Sequence, residues 1–394
     1  MAEEKTYQTH SLAGDLTEIK IGGRNRKVFV AVHHSGTGPG IILIADQEEI
    51  DAGIKACTNL FAEEGYSVLA LGCHFSVEEI KEASQILKNF PQTEGNLASI
   101  GYGNGALLAL KAASLTNFSA VVTFDLKISG NSEALLDTVP CPFFLQFGTQ
   151  NQPEYAARVA KLKEQIHRKD GSSVFAFEEG GKGFSIPFRG TYNKITDDLA
   201  HSRSLELIRR VLGPYYDYEE LFAKHVYHEF ITRDVEATMQ TMIGDPYVNH
   251  VPTLSGGVGY EMLKRFYKYH FVDQNSGGRD RIRVSYTIGP NRLVLENYTK
   301  FVHDSLIDRY FPGIAPTGKT VEIATVIIVK FRGDKVCHEH LYWDQGSALK
   351  QIGVLDASNL PIAGPEAARK VLDENQPSNI FMQEAWSQSK GKPV

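Results

Sequence analysis

Cysteine is scarce. Cys57, Cys73, Cys141 and Cys337 stand singly in a chain of 394 residues, with no Cys-x-x-Cys pair and no Cys/His metal spacing. That excludes a disulfide-stapled scaffold and a thiolate metal cluster, and the four are expected to be reduced thiols. Basic residues number 41 against 47 acidic ones, the formal net charge is -6, and no long Lys/Arg block occurs. The electrostatic footprint of a nucleic-acid or anionic-membrane binder is therefore missing, and a small, neutral or weakly polar molecule is the expected partner. No run reaches the ~20 apolar residues of a transmembrane helix. The opening Met-Ala-Glu-Glu-Lys-Thr lacks the apolar stretch of a signal peptide, so the expectation is a soluble, cytoplasmic protein.

What the chain does have is ordinary globular material, 42% apolar and 22% charged residues, enough for substantial cores. At roughly 150 residues per domain its length predicts two domains. Between residues 27 and 179 short apolar runs (28–32, 40–45, 66–71, 97–100, 120–124, 142–148, 173–178) alternate with helix-like stretches (52–64, 77–89, 106–115, 155–168, then 197–212). This pattern predicts a mostly parallel sheet with helices on both faces. Gly213-Pro214 is a boundary, because glycine ends a helix and proline stops its continuation. Beyond it, helices at 218–231, 235–242 and 260–271 precede long strands at 281–287, 292–302, 320–331 and 336–344. Turn residues Gly289-Pro290-Asn291 and Arg332-Gly333-Asp334 lie between strands, an α+β pattern. The expected domains are 1–213 (α/β), 214–374 (α+β) and a polar tail, 375–394.

The α/β half turns on Gly101-Tyr102-Gly103-Asn104-Gly105, which joins an apolar run to a helix. It fits the G-x-(nucleophile)-x-G elbow, whose third position should carry Ser, Cys or Asp. Here that position is Gly103. The layout over 41–212 resembles the dienelactone hydrolase family, whose elbow reads Gly-Tyr-Cys-x-Gly. The resemblance implies an acid after Phe147-Gly148, where Asn151 offers an amide, and a histidine before Gly183-Phe184, where Lys182 stands. Glu48, in Gln47-Glu48, matches a pair the family places near its nucleophile. With no attacking atom, no orienting anion and no imidazole, Gly103, Asn151 and Lys182 are expected to mark a retired triad. Cys73 and His74 are a substitute pair only in sequence, since neighbours in a strand point to opposite faces. An ester or lactone hydrolase rearranged around Cys73, Glu48 or Lys182 is an alternative.

In the α+β half, period-two alternation puts His338, His340, Tyr342 and Asp344 on one face of the last strand and Cys337, Glu339, Leu341 and Trp343 on the other. Residues 218–355 look like the SnoaL-like polyketide cyclases of the NTF2-like superfamily. Three stretches carry the likeness: Tyr247-Val248-Asn249-His250-Val251-Pro252, the turn Pro312-Gly313-Ile314-Ala315-Pro316-Thr317-Gly318-Lys319, and the strand ending Trp343-Asp344. The resemblance implies an apolar cone with Asp344 as acid/base, a carboxylate whose pKa burial would raise toward neutrality. His338 or His340 would be its proton partner or polarise a carbonyl, and His303 and His250 are further candidates. Glu296 (only it or Asn297 faces inward), Tyr342 and Trp343 are candidate pocket residues. Asp344 also stands where an Asp after a strand caps a helix, here near Ser347. The His338-x-His340 spacing is permissive for a metal, but the resemblance implies cofactor-free chemistry, so no metal or cofactor is expected. The implied function is cyclisation or isomerisation of a small carbonyl-containing, polyketide- or terpenoid-like metabolite by a homodimer. The remaining alternative is a non-catalytic binding or scaffold protein.

Overall fold

The computed structural model describes residues 14–33, 36–166, 171–274 and 279–393. These described residues divide into two units, 14–216 and 217–393.

The first unit is an eight-stranded sheet. Its strands are β1 (Asp15–Ile21), β2 (Arg24–Ala31), β3 (Gly38–Ile44), β4 (Ser67–Leu71), β5 (Thr93–Tyr102), β6 (Phe118–Phe124), β7 (Phe143–Gly148) and β8 (Ser173–Phe177). They run in the order β1-β2-β4-β3-β5-β6-β7-β8. The strands from β4 across to β8 are parallel, while β1 and β2 join antiparallel at one edge. β3 is buried along its whole length, as a central parallel strand must be when helices cover both faces. On one face lie α2 (Val77–Lys88), α3 (Asn104–Ala113), α4 (Gly130–Leu136) and α5 (Pro153–Ile166). On the other lie α1 (Ala52–Glu63) and α6 (Lys194–Leu212). Sequence marks their starts: Asp51 caps α1 through the Ile54 N–H, and Ser76 with Glu79 closes a capping box on α2. The edge strand β1, mostly exposed, was not expected from the apolar runs, because only Ile21 at its end is buried.

The second unit is an α+β arrangement. Helices α7 (Tyr218–Tyr227), α8 (Val235–Gln240) and α9 (Tyr260–Phe266) accompany a sheet of β9 (Met242–His250), β10 (Ser255–Val258), β11 (Asp280–Ile288), β12 (Arg292–Val302), β13 (Thr320–Arg332) and β14 (Lys335–Trp343). α10 (Gln345–Gln351) and α11 (Pro365–Leu372) follow. The sheet order is β10-β9-β14-β13-β12-β11, with β9 parallel to β14 and the other pairs antiparallel. α7 and α9 each pass into a π-helical turn, His228–Thr232 and Tyr267–Phe271. Such turns hold an extra residue and are frequent at functional sites. No described helix is long and apolar enough to cross a membrane.

Candidate functional site

The elbow of the first unit keeps its backbone. Gly103 has φ 49° and ψ -110°, a left-handed conformation that strains any side chain, at the junction of β5 and α3. Its N–H donates to the Phe124 carbonyl at 2.9 Å. Gly105 lets α3 close onto β3, since a Cβ there would lie 2.4 Å from the Ile44 and Ala45 carbonyl oxygens. Around Gly103 is a pocket of about 250 Å³ lined by Asp46, Tyr102, Asp125, Lys182, Ser185 and Arg189, among others.

The charges of this pocket are largely engaged. Arg189 holds Asp46 bidentately, at 2.5 and 2.9 Å, and reaches Asp51 at 2.8 Å. Those hydrogen bonds raise its pKa above the ordinary arginine value. Asp125, just past the end of β6, is buried at a positive φ of 52° and accepts from the Gly148 N–H (2.9 Å) and the Gly183 N–H (2.6 Å). Burial pushes its carboxyl up to about 6 despite those bonds. The buried carboxylate of this pocket, Asp125, therefore stands one strand earlier than the motif places it. Asn151 lies past β7 in an exposed left-handed turn and is not among the pocket's lining residues. Lys182 lines the pocket with an exposed side chain. The Cys73 thiol is pushed up by burial and by nearby Glu48 and Asp46, the wrong direction for a nucleophile.

The second unit encloses a cavity between α7, the two π turns and the sheet. Its free volume is about 30 Å³, against about 250 Å³ for the pocket at the elbow. At one end, His225 Nε2 lies 3.2 Å from Glu229 Oε1, 3.1 Å from Glu339 Oε1 and 3.4 Å from the Tyr267 hydroxyl. Thr241 fixes the ring. Its hydroxyl donates to the Thr238 carbonyl, so at 2.6 Å it accepts from His225 Nδ1–H. Burial alone would lower the His225 pKa, but Glu229 and Glu339 raise it to about 10. Glu339 is raised by burial in spite of His225, whereas Glu229 is lowered by His225 in spite of burial. The ligand atoms of His225, Glu229 and Glu339 all lie within 4.8 Å of one another, a set that could hold a metal ion.

The arginine end of the cavity is cationic, with Arg281 close enough to Glu229 for the two charges to interact. The guanidiniums of Arg279, Arg281 and Arg309 lie 4.8, 5.3 and 6.0 Å from the centre of the Phe230 ring, and all three residues line the cavity. Burial, with Arg279 nearby, lowers Arg309 to about 9. Burial would raise the Tyr310 phenol, but the three guanidiniums bring it below its ordinary value. His250 completes the lining, with burial and then Arg309 lowering it to about 4, so it is neutral at pH 7.

The alternation along β14 holds, but the cavity takes the other face. Glu339, Leu341 and Trp343 line it. His338 and His340 stack on each other on the opposite face, rings 4.8 Å apart, beside Tyr247. Asp344 is corrected from acid/base to helix cap: it is exposed and accepts the Ser347 N–H at 3.0 Å. Tyr342 is exposed, and Glu296, on the same outer face, accepts from the Ser285 hydroxyl. His303 is buried against Phe311 with Nδ1 near the Thr317 hydroxyl, and it does not line the cavity. His250 and Trp343 do line it, with their rings 6.1 Å apart. Residues not singled out from sequence are Asp125, His225, Glu229, Glu339 as a site residue, and the three arginines. Two signals were present: an Asp directly after an apolar run, and one charge, Glu339, alternating with Cys337, Leu341 and Trp343.

Residues 73–212 match the model of the Dienelactone hydrolase family. Similar solved structures include dienelactone hydrolase from Anabaena variabilis, 15% identical over 51% of this chain and 98% of that one, with a TM-score of 0.42. Another is Est1E from Butyrivibrio proteoclasticus, 13% identical over 49% of this chain and 98% of that one, TM-score 0.39. A third is an esterase from Pyrococcus furiosus, 15% identical over 51% and 91%, TM-score 0.41. A search of curated proteins gives no match. The first unit thus contains a dienelactone hydrolase-like region, 73–212, within an α/β hydrolase-like, mostly parallel sheet.

Proposed function

We propose that this protein is an enzyme that moves a proton on a small carbonyl-containing molecule in the cavity of the α+β unit, so cyclising or isomerising it. The observation that carries the reading is Glu339: a buried cavity-lining carboxylate, raised in pKa, beside a His225 oriented by Thr241. Glu339 would take a C–H proton next to the carbonyl, and the C–H electron pair would pass to the carbonyl oxygen as an enolate. The arginine end offers preorganised positive charge to that oxygen. The enolate would then close on an electrophilic carbon or recover the proton at another carbon. The resemblance of 218–355 to SnoaL-like cyclases implies chemistry of this class but points to Asp344, which caps α10, so the assignment to Glu339 rests on the cavity alone. Deuterium exchange of the acidic C–H protons in a panel of β-dicarbonyl compounds, followed by NMR, tests it. Wild type should accelerate exchange, Glu339→Gln should lose ~100-fold or more, and Asp344→Asn should match wild type. Exchange that persists in Glu339→Gln overturns the assignment.

A second reading, hydrolysis in the α/β unit, is favoured by the family match over 73–212 and by Asp125, raised to about 6 in a roomier pocket. Gly103 supplies no attacking atom, so a water would have to attack the ester carbonyl. Its proton would pass to Asp125 and the leaving alkoxide would depart protonated. Aryl-ester turnover with a pH limb near 6, abolished by Asp125→Asn, would establish this reading in place of the first.

A further inference from the structure

The positive end of the α+β cavity has polar atoms in want of a partner. Arg279 Nε and Nη1 are buried without a hydrogen-bond acceptor, and its Nη2 has only a long contact, 3.4 Å, to the Tyr310 hydroxyl. Arg279 is half-buried as a residue, but these two nitrogens are shielded from solvent, and shielded donors left in that state are costly and are retained where something else supplies the acceptor. His250 is the second, independent signal. It is 1% exposed and its Nε2 has no partner. Its Nδ1 lies 3.2 Å from the Ser255 carbonyl, which can only accept, so the proton is on Nδ1 and Nε2 presents a lone pair. The cavity therefore asks for acceptors on the arginine side and a donor at His250.

We propose that the arginine end is a specificity site for a small oxyanion, the carboxylate of an acid that also carries a hydroxyl or enol O–H. The carboxylate would lie on the fork of Arg279, with Arg281 and Arg309 adding charge, and the O–H would donate to His250 Nε2. The site names the substrate class of the enzyme proposed above and rests on that reading for its catalytic meaning, although binding can be measured without turnover. The narrow free space of about 30 Å³ suits a short acid better than a bulky one.

The test is calorimetric titration and thermal shift of the full chain with malate, succinate and inorganic phosphate, against dimethyl succinate and sodium chloride at matched ionic strength. Malate should bind more tightly than succinate, and the diester and chloride should give no shift. Arg279→Gln should weaken malate by about tenfold or more, the loss of a charge-assisted contact, while the unliganded melting temperature stays level or rises because two shielded donors without an acceptor have gone. A merely structural arginine would lower it. Equal shifts from acid and diester, or malate binding unchanged in Arg279→Gln, overturn the proposal, and phosphate binding in preference to both acids overturns the carboxylate assignment. If Arg279→Gln does not fold, the acid-against-ester comparison on wild type decides. Malate bound with no proton exchange in any compound defeats the enzyme reading and leaves this site standing. Exchange on neutral ketones with no acid binding does the reverse.

Discussion

Beside the elbow, Arg189 divides its guanidinium between Asp46 and Asp51, and Asp125 has a backbone N–H on each carboxylate oxygen. In the other unit Arg279 keeps two buried nitrogens without an acceptor, while three guanidiniums share one phenylalanine ring. The first pocket answers its own charges, and the second leaves some of them open. A fold can carry a polar group that has found its partner at little cost, but one that has not found it weakens the fold unless a ligand completes it. The difference points to the second cavity as the place where binding energy is held in reserve, even though the first pocket is larger.

The comparison breaks most sharply at His225. Replacing it with Leu leaves Glu229 and Glu339 buried together without a cation, a change expected to cost ~3–5 kcal/mol. Urea denaturation should show the loss in the α+β transition, with the α/β transition unmoved. Gly103→Cys comes next. It sets a side chain on a left-handed backbone with its Cβ 2.9 Å from that of Asp46, so ~1–3 kcal/mol should go from the α/β transition. No thiol-dependent ester turnover should appear, because among the described residues no imidazole lines the elbow pocket. Asp344→Ala removes a helix cap, about 1 kcal/mol, and should leave proton exchange intact. Arg189→Leu should cost least, under ~1 kcal/mol, because its ion pairs are partly solvated.

The pH dependence separates the two units again. His225 is raised in the folded state, so its contribution is complete below its ordinary pKa near 6.5 and is lost as pH rises toward 10. Asp125 is also raised, so the folded state holds its proton longer than the unfolded chain does, and stability falls as pH climbs from about 4 through 6. Scanning calorimetry across pH should find the α/β transition falling in the acid window and the α+β transition in the alkaline one. Coincident losses would show that the two groups do not act within separate units.

The α/β half was legible because its strands are continuous apolar runs and its helices start at caps that a sequence displays, such as Ser76 with Glu79. β9 was not, because Gly244, Asp245 and Pro246 interrupt it, and it becomes a strand by pairing with β10 and with β14, the latter some ninety residues later. Alternation along β14 was readable, but which face turns inward depends on what α7 and the π turns lay over it. The histidines drew attention to the wrong side, while Cys337, Leu341 and Trp343 carried the apolar signature of the inner one. The arginine cluster had no sequence signal. Arg279 directly precedes β11 and Arg281 is its second residue, Arg309 lies in the loop after β12, and only the folded chain gathers them on Phe230. Asp125 was hidden by the expectation of an acid after β7, although a carboxylate at the C-terminal end of a parallel strand is where open sheets place ligand groups.

The π turns at His228–Thr232 and Tyr267–Phe271 bear on how this cavity could change. Each holds one residue more than an α-helical turn would. Removing one residue from the first would restore an ordinary helix and swing the side chains on one side of the deletion by ~100° relative to the other. Glu229 and Phe230 would then lose their place on the cavity wall while the helix itself remained sound. The lining of this chamber is therefore set by chain length as well as by residue identity. One codon gained or lost could rewrite it, a route to new ligands that a survey of substitutions alone would never sample.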